Sequence, residues 1–488
     1  MHLNESLNKI YKNIDENIDS HIEAIQDLLK QPSISAENYG ITDCAQLIVK
    51  SLEKLHFRKV KAVQTAGHPV VYGEYDAGRE KTLLIYHMYD VQPVGEEHWD
   101  SPPFEARIVE LPPFRRCIIA RGAQNSKGPL QAFLNTLHSI LEVESDFPVN
   151  LIMVIEGEEE LGSPHLPQFV KDHAQHLKHA DAAFFPFTRQ ERDGRAYTWL
   201  GTKGLLYFEL ELNGGHWSKG PRSYDIHGSS KVVVDNPAWR MIHALSSMTS
   251  ADGNTPKIEG FYDDVDPVSD TDRELLEKLA KTFDFAPLKA LWDVESLIDE
   301  DHGKEKLLKR YFYDPTLNID GIQSGYTGLG SKTVVPHKII AKADARLVPR
   351  QKTDDIFQKI RMHLNRHGFG EIGMRRLGGG EYSQTSVDSP IVQAVIRGYR
   401  RFGVEPEIWP RNVGFVPMYL FSGEPLNLPF CIGGLGHGGR SHSPNEYLVV
   451  DRMGKVHGID GCEKSFAAIL YEFASSYAHS PRDRMDSL

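Results

Sequence analysis

The chain has 488 residues with 55 basic and 67 acidic side chains, so its formal net charge at pH 7 is −12. This length exceeds what one hydrophobic core usually organises, which predicts two domains. The acidic balance argues against nucleic acid or an anionic membrane as a partner and favours a small-molecule or peptide-like substrate.

Other sequence features narrow the class of protein further. Met1 is followed by a polar, charged stretch, and no run of 18 apolar residues occurs, so we expect a cytoplasmic protein with no membrane partner. The four cysteines are far apart and lack CxxC spacing: Cys44, Cys117, Cys431 and Cys462. They predict neither a disulfide framework nor a thiolate zinc site.

The first part of the chain alternates between helical and strand patterns. Apolar residues spaced three and four apart predict an opening helix over residues 5–31. We then expect strands at 69–75, 81–86, 104–110 and 116–121, a helix from 128 to about 144, a strand at 149–156, a helix from Pro164 and a strand at 181–187. This alternation predicts an α/β fold with a mainly parallel sheet.

The pattern changes near Lys203, where residues 204–214 alternate like a half-exposed antiparallel strand. Further along we expect helices at 237–248, about 271–281 and about 353–366, a strand at 337–349, and later helices at 389–402 and 453–477. The sequence therefore predicts an α+β domain, residues 206–382, inserted into an α/β domain formed by residues 1–205 and 383–488. Residues 290–320 show no clear period and carry no prediction.

Polar segments follow several of the predicted strands, where functional side chains gather in parallel sheets. They read "HMYD" (87–90), "ARGAQNSKG" (120–128), "EGEEELGS" (156–163) and "GHGGRSHSPNE" (436–446). Three consecutive acids, Glu158, Glu159 and Glu160, repel one another, so cations or hydrogen bonds must compensate them if they share a cleft. The alternative is a solvated acidic turn, which is the usual environment of charged residues.

Six motifs together resemble the zinc-dependent exopeptidases, a family that includes carnosinase-type dipeptidases, aminoacylase and succinyl-diaminopimelate desuccinylase. They are "HMYDVQPV…HWDSPPFEARI", "ARGAQNSKGPLQAFL", "VNLIMVIEGEEELGSPHL", "YDIHGSS…DNPAWRM", "SGYTGLGSKTVVPHKIIAKADARLVP" and "SHSPNEYLVV", and the resemblance extends from about residue 20 to 475. It implies a catalytic α/β domain interrupted by a lid domain that forms a homodimer. It also implies two zinc ions that share a carboxylate and a water, with a glutamate as general base.

Several ligand positions of that family are replaced in this sequence. Met88 stands where the histidine of the H-x-D pattern belongs, while Asp90, the second-shell partner of that histidine, is kept. Asn125 stands at the bridging aspartate, and Phe187 falls where a further acidic ligand ends the next strand. His87 should point to the opposite face from Met88. We expect the Met88 thioether to pack against Phe185 or Phe187 instead of binding a hard ion.

Other family positions are kept. The resemblance assigns Glu159 as general base and Glu160 and His442 as zinc ligands, with Asn125 offering at most an amide oxygen. It assigns His227 to the oxyanion. Arg346, Arg411 and Asn236 are expected to bind substrate, although a salt bridge within the lid explains Arg346 equally well.

These replacements favour metal-independent acid/base chemistry on an amide, peptide or acyl bond, such as amide formation, acyl transfer or cyclisation. No cofactor is favoured, and at most one zinc is expected. One alternative is a mononuclear-zinc hydrolase of the dipeptidase or deacylase type. Another is a non-catalytic pseudoenzyme that binds a peptide-like ligand.

Overall fold

The computed structural model describes residues 2–95 and 98–476. The chain forms two compact units. Unit 2 consists of residues 202–383 and a short return segment, 411–415, and unit 1 consists of the described residues before, between and after them. Residues 477–488, which end the predicted α/β domain, and the last residue of the predicted helix 453–477 lie outside the described residues.

The sequence-based division places residues 411–415 in the α/β domain, but in the structure they belong to unit 2. Local contacts explain the difference. The backbone N–H of Lys203 donates to the carbonyl of Asn412 at 3.0 Å. The Arg411 guanidinium lies over the Tyr313 ring, 4.4 Å from its centroid.

A six-stranded sheet forms the centre of unit 1. Its strands, in order across the sheet, are Arg58–Val63, Val70–Tyr75, Asn150–Glu156, Thr82–Met88, Ala182–Pro186 and Phe430–Gly433. The last four are parallel, and the first two join antiparallel at one edge. The predicted α/β class with a mainly parallel sheet is confirmed.

Helices cover the sheet because its strands are apolar on both faces. Leu166–Leu177 packs Phe169 and Val170 against one face, beside Tyr86 and Val154 of the sheet. Unit 1 has the following helices: His2–Lys30, Ile41–Lys54, Lys127–Glu144, Leu166–Leu177, Pro390–Arg400, Tyr419–Ser422 and Ile459–Ser475, with short 3₁₀ turns at Ser35–Glu37 and Glu159–Leu161. Within the described residues, no helix is both long and apolar enough to span a membrane.

Smaller sheets complete unit 1. One has four strands, in the order Gly438–Gly439, Tyr447–Val449, Phe114–Ile119 and Arg107–Leu111. A parallel pair joins Tyr197–Trp199 to Glu407–Trp409. Short strands at Gly201–Thr202 and Ser383–Gln384 lie where the chain passes between the units.

Unit 2 is built on a four-stranded antiparallel sheet. Its strands, in order, are Thr316–Ser324, Lys338–Leu347, Gly204–Asn213 and Gly373–Gly380, and a separate pair joins Ile226–His227 to Val334–Val335. Leu206, Phe208, Leu210 and Leu212 alternate along one strand and are fully buried, because that face packs against helices. The helices are Gly214–Trp217, Pro237–Ser247, Asp270–Thr282, Ala286–Trp292, Lys304–Tyr313 and Thr353–Arg366, with 3₁₀ turns at Gly228–Val232 and Glu300–His302.

Most predicted elements are confirmed, with three kinds of difference. The predicted helix 453–477 begins only at Ile459, because Met453 and Val456 pair in a tight turn before it. The glycine-rich strand Gly373–Gly380 escaped prediction because it lacks an apolar alternation. The region without a prediction, 290–320, contains the helix Lys304–Tyr313 and most of the edge strand Thr316–Ser324.

A buried carboxylate joins three helices of unit 1. Glu463, on Ile459–Ser475, is fully buried and lies 2.7 Å from His21 Nδ1. It also accepts a hydrogen bond from Asn135 Nδ2 at 2.9 Å. His21 and Asn135 lie on the helices His2–Lys30 and Lys127–Glu144, so one side chain satisfies polar groups from two neighbouring helices.

We expect Glu463→Ala to lower the free energy of unfolding by about 3 kcal/mol, because the substitution leaves buried donors on two helices without an acceptor. Urea unfolding followed by circular dichroism measures the change. The exposed Glu16→Ala on the first helix is the control and should alter stability by less than about 0.5 kcal/mol. Equal effects of the two substitutions would contradict the proposed importance of the buried network.

Candidate active site

The candidate active site lies at one edge of the central sheet of unit 1. The strands Thr82–Met88, Asn150–Glu156 and Ala182–Pro186 are parallel neighbours, with Met88 opposite Glu156. Their carboxyl ends therefore meet at the same edge. The polar segments that follow the first two strands supply Asp90, Glu159 and Glu160.

Asp90 fixes the acidic turn that carries Glu159 and Glu160. Its carboxylate is fully buried and accepts the backbone N–H of Glu159 at 3.1 Å and that of Glu160 at 3.0 Å. Burial and the nearby charge of Glu160 raise the pKa of Asp90 to about 7, although these hydrogen bonds oppose the shift. The side chain expected to orient a histidine here orients a backbone turn.

Side-chain amide groups and an imidazole surround the Glu160 carboxylate. Asn125 Nδ2 donates to it at 2.7 Å and Gln92 Nε2 at 2.8 Å. His442 Nε2 lies 3.2 Å from Glu160 Oε2, the oxygen that accepts from Gln92, and 3.0 Å from Asn125 Nδ2. The hydrogen bond to Glu160 raises the pKa of His442. The structure thus brings together Asn125, Glu160 and His442, the three side chains that sequence reasoning retained as weak ligands.

Glu159 stands beside this cluster and is partly buried. Burial raises its pKa well above the ordinary value, and the negative charges of Glu160, Glu156 and Asp90 raise it further. Glu156, at the end of its strand, accepts hydrogen bonds from the hydroxyl groups of Tyr86 and Ser163, and burial raises its pKa to about 8. A carboxyl group in the position of Glu159 can take up and release a proton.

A second buried carboxylate shapes the loop that presents Asn125. Glu446 accepts the backbone N–H groups of Gly122, Gln124 and Asn125 at 3.1, 3.0 and 2.7 Å. It also pairs with the buried Arg121 guanidinium at 2.9 Å. The Glu446 carboxylate therefore fixes the backbone conformation of the "ARGAQNSKG" segment.

The positions of Met88 and Phe187 are buried and apolar. Met88 is 3% exposed and Phe187 is 4% exposed. The ring of the neighbouring His87 meets Phe185 edge-on at 5.0 Å and faces Phe187 at 6.5 Å. Burial lowers the pKa of His87 to about 4, so this imidazole is neutral.

Four of the predicted site residues lie in unit 2. The exposed His227 holds its Nδ1 2.7 Å from Ser229 Oγ. Asn236 caps the helix Pro237–Ser247 by accepting the N–H of Ala238 at 2.8 Å. Arg346 Nε donates to Asp344 at 2.9 Å, the salt bridge considered above, and Arg411 is buried beside Tyr313.

Comparisons with known proteins identify the family. The model of peptidase family M20/M25/M40 matches residues 84–459. The chain belongs to this peptidase family. It is 27% identical over 493 residues to the Cys-Gly metallodipeptidase dug1 of Schizosaccharomyces pombe, covering 96% of this chain and 99% of that protein. It is 26% identical to the Beta-Ala-His dipeptidase of Homo sapiens, covering 83% and 78% of the two chains.

A solved structure of the family agrees in fold. The M20 family metallo-carboxypeptidase Sso-CP2 from Sulfolobus solfataricus superposes with a TM-score of 0.83 at 34% identity, covering 93% of this chain and 99% of that one. The M20 fold is therefore established for this chain.

The donor chemistry does not fit the pair of divalent ions that the M20 resemblance implies. Met88 offers only a soft, neutral thioether and Phe187 offers no donor at all. Asn125 brings no charge, and its amide nitrogen faces Glu160. Within residues 2–95 and 98–476, no group of three His, Cys, Asp or Glu side chains is arranged to hold a metal.

The donors present fit a single divalent ion better than a pair of ions. Glu160, His442 and the Asn125 amide oxygen, if the amide turns, provide three donors, the usual number in a catalytic zinc site. Such an ion would supply Lewis-acid polarisation of a carbonyl. Only one of the three donors is a carboxylate, so the site is electrostatically weaker than a family site with two.

Sequence reasoning missed three residues that organise this M20 site. Gln92 donates to Glu160, Glu446 holds the Asn125 loop, and His165 Nδ1 lies 2.8 Å from Glu158. Gln92 and Glu446 stand inside motifs that the sequence displays, "YDVQP" and "SPNE". Their hydrogen bonds to a neighbouring segment were the missing information, because a single sequence does not state which backbone N–H groups a buried carboxylate will meet.

Restoring the replaced positions tests the assignment of the strand ends. We expect Met88→His, Asn125→Asp and Phe187→Asp combined to raise the zinc bound per chain above the wild-type value, because two carboxylates and an imidazole are added. Elemental analysis of protein purified without chelator measures it. The control is Met88→Leu, Asn125→Gln and Phe187→Leu combined. If both triple variants fold and bind equal zinc, the alignment of these positions is wrong.

Proposed function

We propose that this M20 protein hydrolyses short peptide-like amides as a dipeptidase-type enzyme, the reading that the sequence alone placed second. The supporting observation is the turn at Asp90, which holds Glu159 at the sheet edge with a carboxyl group suited to proton transfer. Relatives named as Cys-Gly and Beta-Ala-His dipeptidases support the same reaction class. Dipeptides with a free carboxylate are the proposed substrates.

In the proposed reaction, Glu159 takes a proton from the attacking water and returns it to the leaving amine. Asp90 keeps Glu159 in place through the backbone of the turn. His442 and Asn125 hold the Glu160 carboxylate in a fixed orientation. We propose His227 as the donor to the oxyanion, and its exposed imidazole, fixed by Ser229, is compatible with that role. At most one zinc takes part.

A second candidate is metal-independent amide formation, acyl transfer or cyclisation. The observation that favours it is the complete set of protein donors around Glu160, namely Asn125, Gln92 and His442, which compensates the carboxylate without an ion. Such reactions start from an activated carbonyl and need less stabilisation of the transition state than amide hydrolysis. A pseudoenzyme that binds a peptide-like ligand would share the same donors but show no turnover.

We expect Glu159→Gln to reduce turnover of the best dipeptide by at least about 100-fold, because the amide cannot act as a base. Cys-Gly and β-Ala-His are the first substrates to assay, with and without added zinc, following free amino acids by chromatography. The matched control is Glu158→Gln, since Glu158 pairs with His165 and lies outside the proposed proton path. Unchanged turnover in Glu159→Gln would remove Glu159 as the base.

The same assays separate the candidate functions. Release of free amino acids supports the hydrolase, and accumulation of a longer or cyclic amide from an activated ester supports the second candidate. Binding of dipeptides without conversion in either direction would leave the pseudoenzyme.

We propose that the protein forms a homodimer through unit 2. The edge strand Thr316–Ser324 exposes Ile319 and Ile322, and the helix Pro237–Ser247 exposes Trp239 and Ile242. An open strand edge with apolar side chains favours pairing with a second copy. We also propose a cytoplasmic location, because all four cysteines are free thiols in a chain with no disulfide among its described residues.

We expect Ile319→Lys and Ile322→Lys combined to convert a dimer into a monomer, because two charges would be buried at the paired edge. Light scattering coupled to size-exclusion chromatography measures the mass. Ile108→Lys, at an exposed strand position of unit 1, is the control and should leave the dimer intact. A wild-type protein with the mass of one chain would contradict the proposal directly.

A further inference from the structure

A cavity lies between three helices of unit 1. It has a volume of about 540 Å³ and is lined by side chains of the helices His2–Lys30, Ile41–Lys54 and Lys127–Glu144. None of its lining residues belongs to the candidate active site. The volume is in the range of small-molecule sites.

Leucine side chains form the apolar part of the cavity wall. Leu28 and Leu134 come from the first and third helices, and Leu55 directly follows the second. These three are 6%, 2% and 4% exposed, whereas Leu47, in the same wall, is 39% exposed. An apolar group that enters the cavity is removed from water together with these leucines, which favours binding.

Two lysines bring positive charge to the same wall. Lys50 and Lys54 are four residues apart on Ile41–Lys54, so they lie on one face of that helix. Neither has a carboxylate oxygen within 4.0 Å among residues 2–95 and 98–476. Like charges at this spacing repel each other, and an anion bound between them offsets the repulsion.

The acidic side chains around the cavity already have partners. Asp27, the one carboxylate among the described lining residues, lies 2.9 Å from Lys30 Nζ. The charges of Lys50 and Lys54 are therefore in excess at this place, although the chain as a whole has a net charge of −12. A local excess of positive charge is complementary to an anionic group that comes from outside the chain.

His21 adds a buried polar group to the cavity wall. It is 5% exposed, and its Nδ1 lies 2.7 Å from the fully buried Glu463 carboxylate, which fixes the ring. Its other ring nitrogen, Nε2, has no hydrogen-bond partner in the part of the chain that the structure describes. Buried polar groups normally have partners, so this nitrogen is available to a ligand in the cavity.

We propose that this cavity binds a small organic acid with an apolar chain. His21, Lys50 and Lys54 bind the anionic group, and the leucines of the wall contact the chain. A carboxylate and a phosphate both present negatively charged oxygens to such donors, so the anionic group defines the class of ligand. The site does not depend on the proposed function, because none of these residues takes part in the proposed reaction.

The test of the ligand class is calorimetric titration of the full-length protein with octanoate, octanamide, butyrate and octyl phosphate. We expect octanoate to bind at least about tenfold more tightly than octanamide, because only the acid is charged at neutral pH. Butyrate should bind at least about tenfold more weakly than octanoate, because its chain is shorter by four methylene groups. The ratio of octyl phosphate to octanoate affinity identifies the preferred anionic group.

Equal affinities for octanoate and octanamide would overturn the proposal. The absence of measurable binding for both octanoate and octyl phosphate would overturn it as well.

Paired substitutions test whether the ligand lies in this cavity. Lys50→Met and Lys54→Met combined should weaken binding of octanoate at least about tenfold, whereas Lys50→Arg and Lys54→Arg combined should retain it, because the charges are kept. The control is Lys9→Met and Lys12→Met combined, which changes the net charge equally outside the cavity and should have less than about a twofold effect. Wild-type affinity in the variant that lacks both cavity lysines would overturn the site.

His21→Asn tests the buried ring. The asparagine amide can still donate to Glu463 but offers no group in the place of Nε2, so we expect octanoate to bind at least about threefold more weakly. Wild-type affinity in a folded His21→Asn protein would refute the role of His21. If this variant does not fold, the lysine variants still decide whether the cavity is the site.

Discussion

The Glu446 carboxylate determines the geometry of the loop on which the candidate active site depends. It is completely buried and accepts three backbone N–H groups of the Gly122–Asn125 loop, those of Gly122, Gln124 and Asn125, while it pairs with Arg121. Charge-assisted hydrogen bonds to a carboxylate are among the strongest in proteins. Because of them, Asn125 reaches Glu160 and His442 from a fixed backbone. Asp90 likewise fixes the turn that carries Glu159 and Glu160, because it accepts their backbone N–H groups.

These anchors allow several carboxylates to share a small region. Asp90, Glu156 and Glu159 each have a raised pKa, and burial is the largest cause in every case. In a site with two divalent ions, the cations would offset this repulsion. In this structure, amide donors, backbone N–H groups and the His442 imidazole offset the negative charge of the carboxylates. Protonation of these acids lowers the remaining negative charge and so reduces the free-energy cost of burying them.

The sequence predicts the fold well because its strongest signals are periodic. The strands Asn150–Glu156 and Gly204–Asn213 and the helix Thr353–Arg366 follow directly from their apolar spacing. The sequence also placed Asn125, Glu160 and His442 in one site through ordered motifs. It did not predict that the His87 ring would contact Phe185, since the packing of neighbouring strands decides which side chains meet. Long-range partners such as Glu446 with Gly122 depend on loop conformation, which carries no period.

The return segment 411–415 has a consequence for how the chain is made. The ribosome completes residues 202–383 long before Arg411 emerges, so the Tyr313 ring first folds without the guanidinium that covers it. The backbone N–H of Lys203 likewise waits for the carbonyl of Asn412. Domains generally fold as units during synthesis. Unit 2 therefore reaches its final form only after residues 411–415 have been translated, and a nascent chain released before that point carries an incomplete unit 2.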